Sequence, residues 1–217
     1  FKKSKKTSSV TISFSKLMKK EKANTINIKQ EIIKLSTISW QEHIKNLKPL
    51  NETIFDRLKE VSSDLIFADS TGLELSGEKF LTASILFKNL LKKELDTQNV
   101  GLLLPSTAAG AFINYSILLM GKTAVNLNYT SEMESIKQSI YSAQIKSVIT
   151  SRKFVEKLEL KGINIKEFFD LVEIIYLEDL KEKIPKRKSL LTFLSVKFLP
   201  SVILKFIHLT KTKKNDT

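Results

Sequence analysis

The chain has 217 residues and no cysteine, which excludes disulfide bonds, cysteine-ligated zinc sites and a thiol nucleophile. Hydrophobic residues make up 42% of the sequence, a share that is typical of a globular domain and excludes a wholly disordered chain. The formal net charge of +13 raises the question of a nucleic-acid partner, so the placement of that charge matters.

The positive charge lies at the two ends of the chain. Residues 1–50 carry a net charge of +9 and residues 181–217 carry +8, whereas residues 51–180, which must supply the core, carry −4. This distribution favours end segments near an anionic surface over a basic binding face on the domain. Aromatic residues do not alternate with the basic runs as they do in single-strand-binding grooves. We therefore expect no nucleic-acid partner.

Residues 9–18 alternate apolar and polar side chains, with Val10, Ile12 and Phe14 on one side, which predicts a β-strand. Only basic segments precede it, so the strand has no partner nearby in the sequence. We interpret residues 1–20 as the end of a preceding domain.

Residues 21–50 are polar and rich in lysine, and they predict a helical connector that ends at Pro49. The chain opens with Phe1 and a lysine cluster, and no uninterrupted apolar region with a cleavage site follows, so we expect no signal peptide. We expect the chain to be a piece of a longer protein.

Residues 51–185 carry the pattern of an α/β domain, in which short apolar strands alternate with helices. Parallel strands covered on both faces and joined by right-handed crossovers follow from this alternation. The predicted fold is an open, largely parallel sheet with helices on both faces and with helical flanks. The predicted elements are, in chain order, a helix over 54–61 capped by Asn51, strands over 64–69 and 73–75, an amphipathic helix over 78–93 with Thr82 on its polar side, a strand over 100–104, a helix over 107–120, a strand over 124–127, a helix from a capping box at 131–134 to about 143, a strand over 147–150, a helix over 153–158 and a strand over 172–177.

The sequence contains no catalytic constellation. Residues 70–79 hold two glycines at the spacing of a phosphate-binding loop, but Glu78 stands where that loop requires lysine, so the segment predicts a turn followed by a helix start. His43 and His208 are the two histidines, and neither has neighbours at the spacing that catalysis or a metal site needs. We predict no catalytic residue and no metal ligand.

Asn128 and Tyr129 are the residues that we predict to lie near a substrate. They directly follow the predicted strand over 124–127. Open α/β sheets bind ligands at the carboxyl ends of their strands, although turn formation explains Asn128 equally well.

Residues 186–217 combine an apolar run over 190–209 with many basic residues. Lys197, Pro200 and Lys205 interrupt the run, and a lysine near the bilayer centre costs about 2.5–3.5 kcal/mol, so a spanning helix is disfavoured. Two explanations stay open: a segment that lies on an anionic membrane surface, or packing against another part of a longer protein. The predicted membrane-surface residues are Lys186, Arg187, Lys188, Lys197 and Lys205.

Several short segments occur in the same order as in a known family. Residues 53–58 (TIFDRL), 75–80 (LSGEKF), 100–105 (VGLLLP) and 121–130 (GKTAVNLNYT) resemble the start of the AMP-binding (acyl-CoA synthetase-like) superfamily of adenylate-forming enzymes. Residues 128–130, 143–146, 149–154 and 176–180 are similar, within it, to bacterial acyl-[acyl-carrier-protein] synthetases fused to a 2-acylglycerophosphoethanolamine acyltransferase. The segment over 10–14 resembles the closing strand of that acyltransferase domain.

The resemblance makes residues 51–185 the N-terminal part of an AMP-binding domain and implies a reaction for the whole protein. ATP, with Mg²⁺, and a fatty acid would give an acyl-adenylate, and the acyl group would pass to acyl carrier protein and onward to a lysophospholipid. The implied location is the cytoplasm, at the inner face of the bacterial inner membrane.

The catalytic parts of that family do not occur in this sequence. The ATP loop that ends in Pro-Lys-Gly, the later acidic residues and the catalytic lysine are missing, and residues 44–48 after His43 hold no aspartate for the acyltransferase motif. We therefore expect this chain alone to bind neither ATP nor Mg²⁺ and to be inactive. A second hypothesis, from another class of protein, is a non-enzymatic α/β module that attaches to a membrane through residues 186–217.

Overall fold

The computed structural model describes residues 10–45, 47–70 and 72–210. The described residues divide into two compact units, one within residues 10–49 and the other within residues 50–210. In the first unit, a short 3-10 turn precedes helix α1 (Thr25–Ile44), which begins after the cap residue Asn24. The predicted helix in residues 21–50 is thereby confirmed.

The strand predicted over residues 9–18 is wrong for the described residues 10–18, which form no regular structure. An isolated strand leaves its backbone amides and carbonyls without partners, so a period-2 pattern forms a strand only where a neighbouring strand can pair with it. The pattern of Val10, Ile12 and Phe14 does not by itself supply that neighbour. Ser9 lies outside the described residues.

The second unit opens with helix α2 (Leu50–Glu60), the antiparallel hairpin of β1 (Leu65–Ala68) and β2 (Glu74–Ser76), and the long helix α3 (Gly77–Glu94). Helix α3 begins where the Ser76 side chain accepts a hydrogen bond from the amide of Lys79. The prediction of a hairpin turn followed by a helix start is confirmed.

Four parallel strands form the central sheet. They are β3 (Asn99–Leu102), β4 (Thr123–Asn126), β5 (Ser147–Thr150) and β6 (Glu173–Tyr176), in the order β4-β3-β5-β6. The helices that follow them are α4 (Ala108–Leu119), α5 (Met133–Ser142), α6 (Arg152–Glu159) and α7 (Leu177–Glu182), with a 3-10 segment over Ile165–Leu171 before β6. The predicted α/β fold with a parallel sheet is confirmed.

The sheet separates two apolar clusters because successive side chains of a strand point to opposite faces. Ile149 of β5 lies in the cluster that contains α3 and α4, whereas the preceding Val148 lies in the cluster that contains α5 and α6. All four residues of β5 are buried, as expected for a strand with a neighbour on each side and helices on both faces.

Two predicted caps are wrong. Asn51 lies inside the first turn of α2 and is buried, and its side-chain amide donates to the carbonyl oxygens of Leu118 and Thr210, at 3.3 Å each. The capping box at residues 131–134 does not form, because α5 begins one residue too late for the Ser-x-x-Glu spacing and its cap residue, Glu132, accepts no side-chain bond.

Thr82 is also not on a solvent-exposed side of α3. The residue is buried, and its hydroxyl donates to the carbonyl of Glu78 at 2.7 Å. Helix α3 is covered on several sides, because α2, α4 and the helix over Lys186–Phe198 all pack against it.

The apolar run over residues 190–209 forms two helices, α8 (Lys186–Phe198) and α9 (Ser201–His208), which are separated at Pro200. The predicted interruption of the apolar run at Pro200 is confirmed. In the described parts of the chain, none of the helices has the length and apolar character needed to cross a bilayer.

Candidate functional site

A concave cavity of about 570 Å³ lies at the carboxyl ends of β3 and β4. Loops leave parallel strands at this edge, which is where open α/β sheets bind their ligands. The lining comes from the loops after both strands, from the first half of α4 and from the β1–β2 hairpin. The lining residues are Phe67, Leu104, Pro105, Ser106, Thr107, Gly110, Ala111, Asn114, Asn126, Leu127, Asn128, Tyr129 and Thr130.

The start of α4 forms one wall of the cavity and is held by two side chains. Thr107 is the cap residue and accepts a hydrogen bond from the amide of Gly110 at 3.4 Å. Asp69, which follows β1, accepts from the amide of Ala108 at 2.9 Å. Because a carboxylate of the chain already occupies this helix terminus, the positive end of the helix dipole is partly neutralised and is a poor site for a phosphate.

A close approach of the backbone gives this wall its shape. A β-carbon added to Gly110 would stand 2.7 Å from the carbonyl oxygen of Pro105, which is closer than two such atoms can lie. Glycine is therefore required where α4 turns back over the loop after β3.

The polar groups in the cavity are neutral. The side-chain amide of Asn114 donates to the side-chain oxygen of Asn126 at 3.3 Å, which joins α4 to the end of β4. None of the described residues that line the cavity carries a charge. An apolar wall with a few neutral hydrogen-bonding groups suits a ligand with a long apolar part better than a nucleoside triphosphate.

The structure places both predicted substrate-proximal residues, Asn128 and Tyr129, in the lining of this cavity. The Asn128 side chain accepts from the amide and the hydroxyl of Thr130, at 3.1 and 2.7 Å, and so shapes the turn after β4. The ring of Tyr129 meets the ring of Phe154 edge to face, with 5.0 Å between centroids, which fixes its position against the neighbouring cluster. Their contact with a substrate stays a prediction.

A polar cluster at the carboxyl ends of β5 and β6 ties the two neighbouring βα units together. Arg152 makes a bidentate ion pair with Asp179, at 2.5 and 2.8 Å, and its guanidinium lies 4.2 Å from the ring centroid of Tyr176. Hydrogen bonds from Arg152 lower the pKa of the Asp179 carboxyl. The hydroxyl of Ser151 donates to Glu178 at 3.0 Å. These groups bond to one another, so we assign the cluster a structural role.

The predicted membrane-surface residues fall into two groups. Lys186, Arg187 and Lys188 are exposed in the first turn of α8, and Lys197 is exposed near its end. Lys205 of α9 points toward α2 instead, where it pairs with Asp56 at 2.8 Å and Glu52 at 3.1 Å. We therefore assign Lys205 to the packing of α9 on α2 and remove it from the membrane-surface set.

No metal centre is evident in the residues that the structure describes, because nowhere do three His, Asp or Glu side chains converge. Sequence reasoning missed several lining residues, notably Phe67, Thr107, Asn114 and Asn126. Asn126 could have been found from its position at the end of a predicted strand, by the argument that selected Asn128. Phe67 and Asn114 had no such signal, since only the packing of the hairpin and α4 brings them to the cavity.

Comparisons with known proteins support the fold. No family model matches the chain. Among solved structures, o-succinylbenzoate CoA synthetase from Bacillus subtilis, in complex with the acyl-adenylate intermediate OSB-AMP, matches with a TM-score of 0.51 and 15% identity, over 64% of this chain and 34% of that chain. The same synthetase in complex with ATP and magnesium ion matches with a TM-score of 0.51 and 15% identity, over 64% and 35%.

The N-terminal subdomain of NpsA from Klebsiella oxytoca, in complex with 3-hydroxyanthranilyl-AMSN, matches with a TM-score of 0.51 and 10% identity, over 65% of this chain and 33% of that chain. The chain thus spans about a third of the length of these structures. Its fold is that of the N-terminal subdomain of adenylate-forming enzymes, as the sequence predicted.

Proposed function

We propose that this chain is the opening part of a longer adenylate-forming ligase of the AMP-binding superfamily, which activates a carboxylic acid with ATP. The observation that carries the proposal is the cavity at the carboxyl ends of β3 and β4, in a fold shared with enzymes that were solved with an acyl-adenylate or with ATP and magnesium ion. In this proposal the chain contributes a wall of the acyl-binding site, and sequence outside these residues contributes the ATP loop and the catalytic lysine.

The substrate that we propose is a fatty acid, with transfer of the acyl group to acyl carrier protein and onward to a lysophospholipid. The short sequence segments that resemble acyl-carrier-protein synthetases support this choice, as does the uncharged and largely apolar cavity lining. Asn128 and Tyr129 would border the acyl group, and ATP and Mg²⁺ would bind to parts of the enzyme outside this chain.

Filling the cavity tests whether the chain binds a fatty acyl group. Ala111→Trp places an indole in the cavity from the wall formed by α4, and we expect it to weaken binding of a fluorescent fatty acid at least roughly tenfold, since the acyl chain loses the apolar surface that buries it. Displacement of the probe by palmitate would be measured on the wild type and on the variant.

Ser142→Trp is the matched control, because Ser142 is exposed at the end of α5 and does not line the cavity. Circular-dichroism melting curves establish that both variants fold. Equal displacement curves for wild type and Ala111→Trp would remove the cavity as the acyl site.

The isolated chain is expected to release no pyrophosphate when it is mixed with ATP, Mg²⁺ and palmitate. The described residues that line the cavity hold no charge to offset the phosphates, and the printed sequence has no loop that ends in Pro-Lys-Gly. A coupled pyrophosphate assay measures this, with a complete adenylate-forming enzyme as the positive control. Palmitate-dependent release of pyrophosphate by the purified chain would contradict the proposal that the ATP loop and the catalytic lysine lie outside this chain.

A further inference from the structure

The outer face of the α8–α9 pair is an exposed apolar surface. Its two aromatic members, Phe198 and Phe206, are 72% and 89% exposed. Apolar surfaces of this kind mark binding sites when they are contiguous, whereas single exposed apolar residues need no explanation. We call this surface the α8–α9 face. It consists of Leu190, Leu191, Phe198, Val202, Phe206 and Ile207, each more than half exposed.

Helical spacing makes the apolar surface continuous along each helix. Leu190, Leu191 and Phe198 recur at the intervals of one face of α8, and Val202, Phe206 and Ile207 do the same on α9. Both helices therefore have an apolar face that points away from the core of the second unit.

The opposite face of each helix is fixed to the protein. Val196 of α8 and Leu204 of α9 are fully buried in the core cluster. Lys205 reaches from α9 to Asp56 and Glu52 of α2. The exposure of the outer side chains therefore does not result from helices that lie loosely on the surface.

Two further lysines hold the carboxyl-terminal ends of the helices. Lys59 of α2 donates to the carbonyl of Val196, and Lys88 of α3 donates to the carbonyl of His208. Carbonyls in the last turn of a helix have no partner within the helix and favour cationic donors. The inner side of the pair is thus anchored to the protein by core packing and by lysine hydrogen bonds, and the outer side is apolar.

A basic cluster borders this apolar surface. Lys186, Arg187 and Lys188 form the first turn of α8, two to five residues before Leu190 and Leu191, and that turn contains no acidic residue. Cations at a helix N-terminus oppose the helix dipole, so these three charges do not serve the stability of α8. Lys197, on the same helix, lies 5.9 Å from the ring centroid of Phe198.

We propose that the α8–α9 face docks on an anionic lipid surface, with the apolar side chains among the acyl chains and the basic cluster at the head groups. Helices that lie on membranes combine Leu and Phe on one face with Lys and Arg beside it. A protein partner is a poorer fit, because lysine is depleted at protein interfaces and three of the four basic residues here are lysines. The two helices are 13 and 8 residues long, which suits a surface position.

Charge gives the surface its preference among lipids. Residues 181–210, which contain the α8–α9 face, carry seven basic side chains and one acidic side chain, a net charge of +6, whereas residues 51–180 carry −4. Each lysine or arginine near an anionic leaflet strengthens binding roughly fivefold. Docking is independent of the proposed ligase activity, and a membrane-attached protein without that activity would show it equally.

The experiment measures binding of the full chain to sedimented vesicles, made either of phosphatidylcholine alone or of equal parts of phosphatidylcholine and phosphatidylglycerol. The wild type is expected to bind the anionic vesicles and to dissociate as salt rises. The triple variant K186Q/R187Q/K188Q is expected to lose roughly a hundredfold in partitioning. F198S/F206S is expected to lose at least roughly tenfold, because two large apolar side chains no longer leave water.

Two matched controls separate docking at this face from general attraction. K153Q/K157Q/K161Q removes the same charge from exposed positions on and after α6, and Y141S/L160S removes two exposed apolar side chains elsewhere. Both controls are expected to bind like the wild type. The proposal is overturned if the wild type does not bind anionic vesicles, or if a control loses as much as its matched variant.

Packing against another part of a longer protein and self-association are the competing occupants, and a wild type that binds no vesicles and forms no dimer would favour the first. Sedimentation velocity of the wild type without lipid would reveal self-association: a dimer that F198S/F206S dissociates, together with no vesicle binding, assigns the face to a second copy of the chain and overturns the lipid proposal. Because all substituted residues are exposed, the variants are expected to keep the wild-type melting temperature. Fatty-acid displacement in the cavity is expected to be unchanged in every variant, so failure of docking and failure of the proposed function are distinguishable.

Discussion

Gly77→Ala is expected to lower the free energy of unfolding of the second unit by about 3 kcal/mol. Gly77 is the first residue of α3 and lies directly beside the end of α2. An added β-carbon would stand 2.6 Å from the carbonyl oxygens of both Leu58 and Val61. These are backbone atoms, so no side-chain rotation relieves the contact, and α2 must move away from α3.

Moving α2 also disturbs its other contacts. Phe55 of α2 is fully buried in the main core cluster, and the amide of Gly77 donates to the carbonyl of Asp64 at 3.2 Å. Separation of α2 from α3 therefore opens the core as well as the junction, and the expected effect lies at the upper end of what overpacking costs.

Urea unfolding followed by circular dichroism measures the effect, since the only tryptophan, Trp40, lies in the other unit. Gly162→Ala is the control: Gly162 has φ +78°, and no atom lies within 4 Å of its added β-carbon, so this substitution adds backbone strain of about 1–2 kcal/mol and no collision. An effect of Gly77→Ala no larger than that of Gly162→Ala would contradict the close packing of α2 against α3.

The central sheet could be predicted from sequence because its signals are local. Residues 147–150 form a short apolar run between polar segments, and they became β5 with the predicted bounds. The alternation of such runs with helices also predicted parallel pairing, since a helix between two strands lets both strands run in the same direction in one sheet. Neither inference requires knowledge of what lies far away in the chain.

Predictions that depended on a distant partner or on exact spacing failed. The pattern over residues 10–14 needs a second strand, which the described residues do not supply. The capping box at 131–134 requires Ser131 to be the residue just before the helix, but α5 begins at Met133. Asn51 carries a good cap side chain, yet it bonds to residues 67 and 159 positions later in the chain.

The candidate site shows the same division. The rule that ligands bind at the carboxyl ends of parallel strands selected Asn128 and Tyr129, and both line the cavity. Phe67 comes from the hairpin and Asn114 from the interior of a helix, so only tertiary packing places them there. Local sequence patterns identify the residues at the edge of the sheet, but they do not identify the residues of the opposite wall of the cavity.

Lys88→Met is expected to change how stability depends on pH. Lys88 is only 6% exposed, and burial, together with the charge of Lys92, lowers its pKa from 10.5 to about 8. Between these two values the unfolded chain holds a proton that the folded chain has released, so the wild type gains stability as pH rises. The gain from Lys88 is about 2 kcal/mol between about pH 7 and about pH 9.5.

The variant removes this gain, because methionine does not titrate, and its stability is expected to rise by about 2 kcal/mol less than that of the wild type over the same interval. Urea midpoints at several pH values measure the difference. Lys93→Met, at an exposed position on the same helix, is the control and is expected to follow the wild type. Parallel pH profiles for Lys88→Met and wild type would show that the ammonium of Lys88 is not buried at neutral pH.

His208 supplies an independent measurement of the same contact. Burial, and then the charge of Lys88, lowers the pKa of its imidazole to about 4, and the ammonium of Lys88 donates to the carbonyl of His208 at 2.5 Å. Removing that charge is expected to raise the pKa of His208, which a proton NMR titration of the two histidines detects. Because burial is the larger cause, the pKa should stay below its ordinary value of 6.5 in Lys88→Met. A return to 6.5 would mean that the variant has detached α9 from α3.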